Sequence, residues 1–308
     1  MWVEVSLLTG FFMVNALKSV PPESVAVISE VRSEAHRFPL ISRLLDLLGS
    51  KDYRPPQLPS TATQLTQLSQ QENICPTEMV QLLSRDPMLA GELLRIAQSP
   101  AYGGASSIRS LEEAIVRLGL QRTGELFVRV ALESRVFRVA GYQEPMRQLQ
   151  RHSACVAQIA PIIARAAKVP SKSAFLCGLL HDIGTAATLI ALVDSIAAKD
   201  PIPPFAEVEP AVQKLHHYAG GLVAKEWNFP QDIIDVVEQH HGCVRQENPL
   251  PMACVVNLAD HIASQMGYGF GSELTNDSPD TVLELLKLNQ VAADALWLKC
   301  RKQLEKMA

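Results

Sequence analysis

Residues 84–119 read SRDPMLAGELLRIAQSPAYGGASSIRSLEEAIVRLG, and the punctuation of this stretch decides the fold class. Asp86 stands where a side-chain oxygen can cap a helix whose first turn holds Pro87, a place where the missing proline N–H is not needed. Leu89, Leu93, Leu94 and Ile96 recur at the spacing of one helical face, and the helix is expected to end before Ser99-Pro100. Ser110 and Glu113 form a capping-box pair opening a second helix over Leu111 to Leu118, with Gly119 placed to end it in the left-handed conformation. The next helix is expected to hold Leu126, Val130 and Phe137. No run in the chain alternates apolar and polar residues between hairpin turns, so the class is all-α.

Outward from this stretch, helices are expected at about 145–168, 173–182, 186–198, 206–227, 231–241 and 251–266. Pro170, Gly184, the cluster 201–204, Pro230 and Gly242 mark the connections. After a loop over 267–279, Val282, Leu285, Leu286, Val291, Leu296 and Leu298 suit one or two closing helices. The apolar run 5–17 is about half the length a membrane span requires, and Glu4 is the only charge before it. It reads as a short helix packed on the body, the other reading being a surface or membrane-docking helix, and neither a signal peptide nor a membrane span is expected. The division expected is an N-terminal helical extension (1–53), a central domain (54–265) with lobes at 54–140 and 141–265, and a helical tail (266–308).

The chain has 308 residues, of which 47% are apolar, enough for a sizeable core. A net charge of -4, with no stretch where Lys and Arg gather beside aromatic residues, argues against a nucleic-acid partner. The six cysteines contain no CxxC pair and most sit among apolar neighbours, as reduced thiols of a cytoplasmic protein do.

Histidine is unevenly spread. His36 is alone in the first half, while His152, His181, His216, His217, His240, His241 and His261 share one stretch. His181-Asp182 closes an apolar helix just before Gly184, so an imidazole and a carboxylate leave the helix end together. Nitrogen and hard oxygen donors suit Zn, Mn or Fe, and a carboxylate can bridge two ions. His152 and Asp260 lie on two other expected helices among apolar neighbours, which makes four ligands from three helices. The further histidines leave room for a second ion sharing Asp182. His217 and His261 are the expected bystanders.

The string AFLCGLLHDIG (174–184) resembles the central motif of the HD-related output domain (HDOD) family, and Arg151-His152-Ser153 resembles the helix that precedes it. His216, with Gly220 four residues on and Trp227 eleven, is similar to a segment shared with HD-GYP phosphodiesterases. Gln239-His240-His241 and Leu258-Ala259-Asp260 resemble the next two motifs. Upstream, LLSRDPMLAGELLRIAQSPAYG and IRSLEEAIVRLGL are typical of the HDOD N-terminal lobe.

This resemblance, over about residues 54–265, implies a compact all-helical domain of bacterial signal transduction. Such a domain acts as an output or scaffold module on signalling proteins of two-component or cyclic-dinucleotide circuits, with a retained HD-type metal site. The implied ligands are His152, His181, Asp182, His216, His240, His241 and Asp260, holding one or two divalent ions of Fe, Mn or Zn. The alternative is a metal-dependent phosphohydrolase acting on a nucleotide or cyclic dinucleotide, with Asp182 as its catalytic residue; a third reading is an iron-based sensor. Two departures favour the first reading. Thr185 stands where active HD-GYP enzymes carry Lys, and no GYP segment follows His241. The loop around Tyr102, an aromatic residue among small neighbours, is the expected partner contact, the other reading being that Tyr102 packs back on its own helices.

Overall fold

A computed structural model describes residues 39–69, 75–99, 102, 108, 110–271 and 277–305. The apolar run 5–17, His36 and most of the loop around Tyr102 lie outside the described residues. Among those residues there are helices and no strand. The first are α1 (Pro39–Leu48), α2 (Ser60–Ser69), α3 (Pro76–Leu83), α4 (Pro87–Ala97), α5 (Leu111–Leu118) and α6 (Leu120–Arg135). The long α7 (Gln143–Ala166) follows, then α8 (Ala174–Leu180), α9 (Ile183–Asp194), α10 (Phe205–Glu226), α11 (Gln231–Gln239) and α12 (Pro251–Ala263). The chain closes with α13 (Pro279–Leu285) and α14 (Gln290–Glu305).

The expected caps are made. Asp86 Oδ1 accepts from the Leu89 N–H at 3.1 Å, and Ser110 Oγ from the Glu113 N–H at 3.2 Å. Each satisfies a helix-end donor that has no partner within its own helix. Gly119 differs from expectation: its φ is 80° but its ψ is 156°, an extended conformation open to glycine rather than the left-handed helical one. It therefore joins α5 to α6 with a sharp change of direction instead of an ordinary cap. Phe137, expected inside α6, lies just past its end and is buried there.

The main apolar core runs from Ile41 to Leu304, so the first and last described helices bury their apolar faces in the same interior, and a small second cluster holds Ala97, Ile108 and Ala114. Helices α2 to α6 pack together at one side. At the other, α7, α8, α9, α10 and α12 stack on one another, with α1 laid on α9 and α10 and α14 on α7. The segment Ala174–Asp194 has the length and apolar character of a membrane span, but it is packed inside the protein and interrupted by His181-Asp182. The six cysteines are free; Cys75 is exposed and the others are buried.

Candidate metal centre

Two close helix crossings build the site. Gly178, on α8, lies so near α7 that a Cβ there would stand 2.9 Å from the Val156 carbonyl oxygen. Gly184, in the first turn of α9, would place a Cβ 1.8 Å from the carbonyl oxygen of His216 on α10. Only glycine permits such approaches. The first brings His181 beside His152, and the second brings His216 beside Asp182. Asn257 on α12 donates to the His240 carbonyl at 3.0 Å and so fixes the end of α11, from which His240 and His241 project. Asp260 arrives from the same helix as Asn257.

Hydrogen bonding fixes which face each imidazole shows. The Nδ1 atoms of His181, His216 and His240 lie 2.9, 2.5 and 3.1 Å from the carbonyl oxygens of Gly178, Gln213 and Val237, each three residues earlier. His152 Nδ1 lies 2.8 Å from the carbonyl oxygen of Tyr268. A carbonyl can only accept, so all four Nδ1 atoms carry protons and all four Nε2 atoms, in neutral rings, present lone pairs. The Nε2 atoms of His152 and His181 face each other at 3.1 Å. Those of His216 and His240 are buried with no hydrogen-bond partner, as are His217 Nε2 and His241 Nδ1. Converging lone pairs repel, and a buried unpaired nitrogen carries a desolvation cost, unless a proton or a cation sits among them.

Asp182 divides its two oxygens between two sets of rings. Oδ2 lies 3.4 Å from His181 Nε2 and 3.8 Å from His152 Nε2, and His152 Nε2 is also 3.3 Å from Asp260 Oδ1. Oδ1 lies 3.4 Å from both His216 Nε2 and His240 Nε2. That is the disposition of a bridging carboxylate.

Burial shapes the charges. It would raise the Asp182 and Asp260 carboxyls, yet the imidazoles around them hold both below the usual carboxylate range. Burial also pulls imidazoles down, and His216, His240 and His241 fall to about 4. His181 goes the other way, to about 9, because the adjacent Asp182 carboxylate outweighs its burial. Without metal, His181 therefore stays protonated against the Asp182 carboxylate at neutral pH.

The structure brings together His152, His181, Asp182, His216, His240, His241 and Asp260. His217, set aside in the sequence, belongs with them: its ring centroid is 3.8 Å from that of His216 and 4.7 Å from that of His240. The signal for it was the pair of histidine doublets, 216–217 and 240–241. His261 stays outside, bonded to Gln265. Thr185 is buried and donates its N–H to the Asp182 carbonyl, so it presents no cation to the site. Tyr102 is half-buried against the core, and its hydroxyl accepts from Gln158 Nε2 at 2.9 Å.

The family model for the HDOD domain matches residues 56–243, more than half of the chain. The chain is 26% identical over 195 residues to an uncharacterized protein of Treponema pallidum, covering 61% of this chain and 37% of that one. It spans well under half the length of the curated relatives it matches. An HDOD domain protein of unknown function from Geobacter sulfurreducens superposes with a TM-score of 0.61 at 24% identity, over 85% of this chain and 87% of that one. A candidate metal-dependent phosphohydrolase from Shewanella amazonensis SB2B gives 0.66 at 18% identity, over 88% and 98%. At these identities the two structures speak for the fold alone. With the family pattern running from the capped helices of the first lobe to the histidine doublet after α11, the chain belongs to the HDOD domain family.

Proposed function

We propose that this protein is a cytoplasmic signalling module that works through protein contacts and carries a metal centre as part of its framework. The observation behind this reading is a converging ligand set that is almost sealed: His181 and His240 are wholly buried, and the side chains of Asp182 and Asp260 keep only 12% and 11% of their surface exposed. His152, His181, Asp182 and Asp260 would hold one ion. His216, His240, His241 and the other oxygen of Asp182 would hold a second. A cation there supplies the positive charge that the facing lone pairs require, and ties α7, α8, α10, α11 and α12 to one another.

The division of Asp182 between two ring sets favours a second reading, a metal-dependent phosphohydrolase acting on a nucleotide or cyclic dinucleotide. Thr185 weighs against it, since a charge at that position is typically worth about 10²- to 10³-fold in rate. Elemental analysis of purified protein, together with a phosphoester screen that includes cyclic di-GMP, decides between the two. Bound Fe, Mn or Zn without turnover supports the module. Turnover on the order of 1 s⁻¹ that Asp182→Ala abolishes establishes the hydrolase. Protein that takes up none of the three metals refutes both.

A further inference from the structure

The two histidine doublets carry an inference that rests on the metal-centre reading and goes beyond it. His216 and His217 are consecutive on α10, and His240 and His241 are consecutive at the end of α11. Consecutive residues of a helix point about 100° apart, so helical periodicity alone would turn one ring of the α10 doublet away. Here both turn inward: one ligand nitrogen from each of the four histidines lies within 4.8 Å of the other three. Each of the four also has a buried ring nitrogen with no hydrogen-bond partner. Four such nitrogens gathered at one point call for a common acceptor of lone pairs.

We infer that His217 joins His216, His240 and His241 in a cation subsite of four imidazole nitrogens, with Asp182 Oδ1 as a fifth donor, leaving no coordination position for water or substrate. Zinc ordinarily takes four protein ligands in a closed structural site, and it gives up one of them to an open position in a catalytic site. The other subsite, with His152, His181, Asp182 Oδ2 and Asp260, has two nitrogens and two carboxylates, one donor fewer, so an ion that takes five or six ligands, such as Co(II) or Mn, keeps a position there for a ligand from solution. The two subsites therefore differ in kind. The four-imidazole one suits Zn, Co, Ni or Fe, whereas the carboxylate-rich one also accepts Mn. His217 closes the position at which a second ion would otherwise engage a ligand from solution.

Titration of metal-free protein with Co(II), followed by its visible spectrum and then by addition of azide, tests this. The unaltered protein is expected to bind two equivalents, with azide perturbing the spectrum of one ion only. In His217→Ala, and in His217→Gln as a more conservative replacement, affinity for one equivalent is expected to fall at least tenfold, and azide to perturb both ions at saturating Co(II). Circular dichroism of the metal-free variants checks that they fold, and the azide response of the unaltered protein decides without any variant. Azide acting on both ions there, or folded variants that bind both ions with unchanged affinity, overturns the role of His217 and leaves the metal-centre reading standing. Failure of the unaltered protein to bind Co(II) overturns both.

Discussion

A Cβ at Gly184 would stand 1.8 Å from the carbonyl oxygen of His216 and 2.4 Å from the backbone nitrogen of Gly220. The obstruction is backbone, which cannot swing aside as a side-chain tip can. Gly184→Ala is therefore expected to push α9 and α10 apart, at a cost of about 3 kcal/mol or more. Because the same contact sets His216 against Asp182, the folded fraction should also lose metal. A urea midpoint and metal content equal to those of the unaltered protein would refute the close crossing.

Asp182 faces both ring sets, whereas Asp260 contacts His152 and belongs to one. Asp182→Ala should thus lower metal content severalfold, while Asp260→Ala should remove about one equivalent of two. Elemental analysis of the two variants side by side measures this. Equal losses would mean that Asp182 does not bridge.

The metal-free protein should be most stable near pH 6.5. His216, His240 and His241 titrate at about 4 in the folded state against an ordinary 6.5, through burial and the neighbouring rings. Between those values the unfolded chain binds more protons, so stability is lost as pH falls from 6.5 toward 4. His181, at about 9, acts in the opposite sense: its contribution is complete below 6.5 and is lost as pH rises toward 9. Urea midpoints in the presence of a chelator across this range should trace a maximum, and a flat profile would contradict it.

The Tyr102 hydroxyl accepts from Gln158 Nε2, and Gln158 Oε1 in turn accepts from Arg122 Nη2 at 2.6 Å and from Gln303 Nε2 at 3.2 Å. Gln158 thereby joins α6, α7 and α14. Tyr102→Phe should cost about 1 kcal/mol through the lost hydrogen bond, and Tyr102→Ala roughly 2 kcal/mol or more. A Tyr102→Ala protein that loses partner capture while keeping its urea midpoint would instead assign the ring to a contact surface.

Much of this arrangement was legible in the sequence because the signals were local. Asp86, Pro87 and Ser110 announce helix starts by chemistry acting over three residues, and the structure keeps each. The candidate ligands His152, His181, Asp182 and Asp260 stand out as polar residues among apolar neighbours. Gly184 was read as a helix connection, and its role depends on α10, which lies some thirty residues further along the chain. His217 is an expected bystander by sequence, and a helical repeat offers no reason for it to share a face with its neighbour His216. Only the approach of α10 to the end of α11 brings it into the group. Gly119 was legible as a glycine requirement but not as a ψ of 156°, which the join between α5 and α6 imposes.

The carbonyl of Tyr268 that orients His152 belongs to a π-helical turn, Ser264–Tyr268, that continues α12. That turn and Asp260 both lie beyond residue 243, where the family pattern stops. A gene fragment trimmed to residues 56–243 would thus encode a site lacking Asp260 and the clamp on its first imidazole. Any fusion or transplant of this module must carry the chain through Tyr268, because the cage around the first imidazole closes only there.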